Sequence, residues 1–152
     1  METVEREGAA ALTATEAETV DAIVARLIPT DANGPGGAEA KAGRYIDWAL
    51  GGGLAFFKDS YTLGLAQLDA YCRSVYAAPF VELTAAQQDA VLTNMQANTA
   101  TGFVPNSQTF FDLIRGHAVQ GSFHGGNAIS SAYDFDMFKK LKSRQKGTRH
   151  GG

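Results

Sequence analysis

A chain of 152 residues has the length of one domain, and 45% hydrophobic against 19% charged residues is a globular composition that excludes an intrinsically disordered chain. No stretch approaches the roughly 18 apolar residues that a bilayer span needs, and the single cysteine, Cys72, excludes an intrachain disulfide and a cysteine-based zinc site. The net charge of −3 divides unevenly: residues 139–152 carry six basic side chains and no acid, while the rest carries 7 basic and 16 acidic ones, so a basic arm follows an acidic body.

Residues 1–11 are polar and Ala-rich and are expected to form a flexible N-terminus. Their start, Met1-Glu-Thr-Val-Glu-Arg-Glu-Gly8, has no positive n-region and no apolar h-region, so no signal peptide is visible in the chain as given. A first helix is expected after Thr13, which can cap it with Glu16 reaching back in a capping box and Leu12 placed as a hydrophobic staple. Val20, Ile23, Val24, Leu27 and Ile28 give it one apolar stripe, and Pro29 ends it. The segment Thr30-Asp-Ala-Asn-Gly-Pro-Gly-Gly37 reads as a loop. A second helix is predicted over 38–50, with Tyr45, Ile46, Ala49 and Leu50 on one side and Trp48 flanking, stopped by Gly51-Gly-Gly53.

The third helix is the best marked, because Tyr61, Leu65, Leu68, Cys72 and Val75 recur at spacings of four and three, the pattern of a buried face. Ala78-Pro79 closes it. Thr84 and Gln87 form a second capping box for a fourth helix, whose inner face is Val91, Leu92 and Met95. Thr99 to Pro105 is a linker, Ser107 can cap a fifth helix, and Gly121 followed by His124-Gly-Gly-Asn127 is expected to end it. Residues 128–138 read as irregular or as a brief helix, and no segment alternates as a strand does. The expected architecture is all-α: a single domain of five or six helices over 12–138, joined by Gly-rich loops, with a basic tail at 139–152.

Little self-sufficient chemistry is visible. The chain has no phosphate-binding P-loop, no dinucleotide fingerprint after a strand and no nucleophile elbow, and Gly51-Gly-Gly53 reads as a helix stop. His117 and His124 are seven apart, near one face if a helix continued through them. A metal site there would need a third ligand, and Asp112, five residues before His117, converges poorly. An independent metal protein or enzyme built on His117 and His124 is therefore one alternative reading. The plain reading has His117 packing at the end of a helix and His124 shaping a loop. No marked base stands beside a Ser or Cys, and nothing in the sequence argues for acid–base work by the Asp134 and Asp136 pair. The basic tail is a second alternative, a polyanion-binding module, but the acidic body opposes nucleic acid, and none is expected as partner.

All 15 aromatic side chains follow residue 43, and seven lie between 103 and 138. Some belong in a core, but a region mixing glycines with so many rings is expected to dock a larger partner. The candidate contacts are Phe110, Phe111, His117, Phe123, His124, Gly125, Gly126, Asn127, Tyr133, Phe135 and Phe138. Asn127 can offer both an amide donor and acceptor in that loop.

In their order the following pieces resemble the gluconate 2-dehydrogenase subunit 3 family: Leu12-Thr-Ala-Thr-Glu-Ala; Ile23 to Asp31; Gly34-Pro-Gly-Gly-Ala38; Tyr45-Ile-Asp47; Tyr61; Gly64 to Asp69; Phe80 to Thr84 with Gln87; Phe110 to Arg115 with His117; and Gly125-Gly-Asn127. The resemblance implies an all-α accessory subunit without catalytic residues or a cofactor of its own. Its implied partner is a large flavoprotein that carries FAD and oxidises a sugar, sugar acid or polyol, with a cytochrome c as a common electron acceptor. A periplasmic or envelope location is implied too, with a cytoplasmic one as the alternative. Two features depart from the family pattern: no twin-arginine leader is visible, and Ala132 to Phe138 stands where a Trp and a Gly-aromatic pair are usual.

Overall fold

The computed structural model describes residues 11–30, 34, 36–38 and 40–124. Five α-helices and no strand occur among them: α1 (Ala14–Leu27), α2 (Ala42–Leu50), α3 (Lys58–Tyr76), α4 (Ala85–Gln96) and α5 (Ser107–His124). Short 3-10 turns at Ala55–Phe57 and Phe80–Glu82 precede α3 and α4. The all-α class expected from the sequence is what forms.

Both predicted capping boxes are present. Thr13 Oγ1 accepts from Glu16 N at 3.1 Å while Thr13 N donates to Glu16 Oε1 at 3.0 Å, and Thr84 and Gln87 repeat the arrangement at the start of α4. Each box satisfies two amides that a helix start leaves without partners. At α5 the cap differs from expectation. Ser107 is inside the helix and its hydroxyl donates to Met95 O, whereas Asn106 Oδ1 accepts from Thr109 N at 2.9 Å and performs the capping.

Two helix boundaries also move. Helix α2 begins at Ala42 because Lys41 is left-handed, at φ 61°, a conformation that no helix interior admits. Helix α5 runs through Gly121 instead of stopping there. Gly121 is buried, and a Cβ at that position would sit 3.0 Å from Ala42 O and from Tyr45 Cδ2. The missing side chain lets α5 lie close on α2, and that packing outweighs the roughly 1 kcal/mol by which glycine disfavours a helix interior.

Helices α2 and α5 form the most extensive helix pair, with α1 and α4 also against α5. The shared core holds Val20, Ile23 and Val24 of α1, Ile46 and Leu50 of α2, Tyr61, Leu65, Leu68 and Cys72 of α3, Val91 and Met95 of α4, and Ile114 and Ala118 of α5. Val75, the last step of the predicted α3 stripe, is instead 50% exposed: the buried run on α3 ends at Cys72. Buried polar groups tie elements together. Asp47 on α2 accepts from the amides of Ala11 and Leu12 at 2.7 and 2.9 Å, and Gln88 on α4 donates to Phe80 O at 2.9 Å. On the surface, Arg26 of α1 meets Asp89 of α4 through two 2.9 Å bonds.

Candidate functional site

The rings divide into an inner, buried group and an outer, exposed one. The inner one is built by the α3 stripe meeting α5. Tyr61 Oη and His117 Nδ1 share a 2.8 Å hydrogen bond, and their rings stack with centroids 5.8 Å apart. Phe110 meets Tyr61 edge-on at 5.8 Å, and Phe57 meets His117 edge-on at 5.1 Å. Gly64 admits the Phe110 ring, which a Cβ there would overlap. Burial raises the Tyr61 pKa and lowers that of His117, so the bond joins two neutral groups at pH 7. Such a pair fixes the helices against each other. It offers no charged acid or base to a reactant.

Among the sequence-predicted contacts, Phe110, Phe111 and His117 are buried in this chain's own core, and Phe123 packs partly against it. His124 is the last residue of α5. Gly125, Gly126, Asn127, Tyr133, Phe135 and Phe138 lie outside the described residues, as does the basic tail. Among the described residues no three His, Cys, Asp or Glu side chains are grouped so as to hold a metal ion, and no helix is long and apolar enough to cross a membrane. Cys72 is fully buried and its thiol is pushed up to about 11 by desolvation, first, and by the Asp69 charge, which disfavours a nucleophilic thiolate.

The outer group was not singled out as a contact by sequence reasoning. Trp48, in the last turn of α2, is 61% exposed, and Phe56, in the following 3-10 turn, is 87% exposed. Between them, Gly51, Gly52 and Gly53 are exposed, and a Cβ on Gly52 or Gly53 would meet nothing within 4 Å. Leu54 N donates to Ala49 O at 2.7 Å, so the turn folds back onto the end of α2 and keeps both rings there. Arg44, Tyr45 and Trp48 lie at helical spacing on one side of α2, with the Tyr45 and Trp48 rings 6.2 Å apart. The signal available in the sequence was Trp48 itself, a large ring one step off the apolar stripe.

The gluconate 2-dehydrogenase subunit 3 family model matches residues 14–138, a range that includes all five described helices. No curated protein and no solved structure gives a match. With most of its length under that one model and the helices in the expected order, the chain belongs to the gluconate 2-dehydrogenase subunit 3 family.

Proposed function

We propose that this chain is a non-catalytic accessory subunit that binds and stabilises a large FAD-dependent dehydrogenase acting on a sugar, sugar acid or polyol. The observation that carries the reading is the family match across residues 14–138. The helical body supports it. The buried pair Tyr61 with His117 is neutral and internal, and the exposed rings suit contact with a protein. In this reading FAD resides on the partner. A cytochrome c is the proposed electron acceptor of the complex. The predicted contacts from Phe123 and His124 through Gly125, Gly126 and Asn127 to Tyr133, Phe135 and Phe138 belong to the same proposal.

The test is gentle recovery of the tagged chain from its host, followed by an absorbance spectrum and subunit masses. A yellow complex containing a larger flavoprotein is expected. A colourless chain recovered without a flavoprotein overturns the reading.

A further inference from the structure

We draw no further inference here: the strongest candidate, the exposed surface patch that bears Trp48 in the last turn of α2 and Phe56 in the 3-10 turn after it, carries nothing because nothing in the structure shows what covers it.

Discussion

Adjacent residues Phe56 and Phe57 divide two aromatic groups with opposite roles. Phe57 turns inward to the His117 ring, which is bonded to Tyr61 and lies in the same cluster as Phe110; Phe56 points to solvent at the end of α2, the end that also carries Trp48. The inner rings are fixed by complementary shape, with Gly64 left bare to receive Phe110. The outer rings sit beside glycines that nothing in the described chain covers. The same residue types hold the fold in one place and present a surface in the other. What separates them is whether a second helix lies opposite.

The comparison yields predictions of decreasing size. Removing an inner ring should be severe: Phe110→Ala is expected to lower unfolding stability by about 3–5 kcal/mol, measured by urea titration. A loss below about 1 kcal/mol would mean the inner group is loosely packed. Gly64→Ala, which forces a methyl into the Phe110 ring, is expected to cost about 1–3 kcal/mol. Tyr61→Phe leaves His117 Nδ1 without its bond and should cost about 1–3 kcal/mol.

The inner group also predicts a pH dependence. Burial lowers the His117 pKa, so below its ordinary value of 6.5 the unfolded chain takes up a proton that the folded chain resists. The stabilising contribution is complete above that pH and declines as pH falls through it. The thermal midpoint should drop on acidification from neutral, and His117→Gln should flatten that slope. An unchanged slope would place the acid-sensitive group elsewhere. Thr13→Ala, outside both groups, removes one capping box and should cost about 0.5–2 kcal/mol. The smallest effect belongs to the outer group: Trp48→Ala or Phe56→Ala should change stability by less than about 0.5 kcal/mol, since neither ring loses much packing. A large loss would show that these rings belong to the core.

Much of the fold was legible because its signals are local. Thr13 with Glu16 and Thr84 with Gln87 announce helix starts through bonds spanning three residues, and the Tyr61, Leu65, Leu68 and Cys72 stripe repeats within one helix. The misjudged positions depend on neighbours far away in sequence. Gly121 looks like a helix stop until α2 is placed beside it, and Ser107 looks like a cap until Met95 O takes its hydroxyl. Phe110 and Phe111 look available to a partner until α3 and α5 close around them. Composition also hid the outer patch, because Trp48 and Phe56 count equally with buried rings.

By itself the sequence determined the helical class, the two capping boxes, the stripe that buries α3 and the resemblance to a family, since each depends on residue order within a few turns or on the order of motifs. Only the tertiary structure decided which rings pack inward, where α2 begins and α5 continues, and that Trp48 and Phe56 are left facing solvent. Burial is a relation between elements distant in the chain, and hydrophobic area is removed from water only when both surfaces are present.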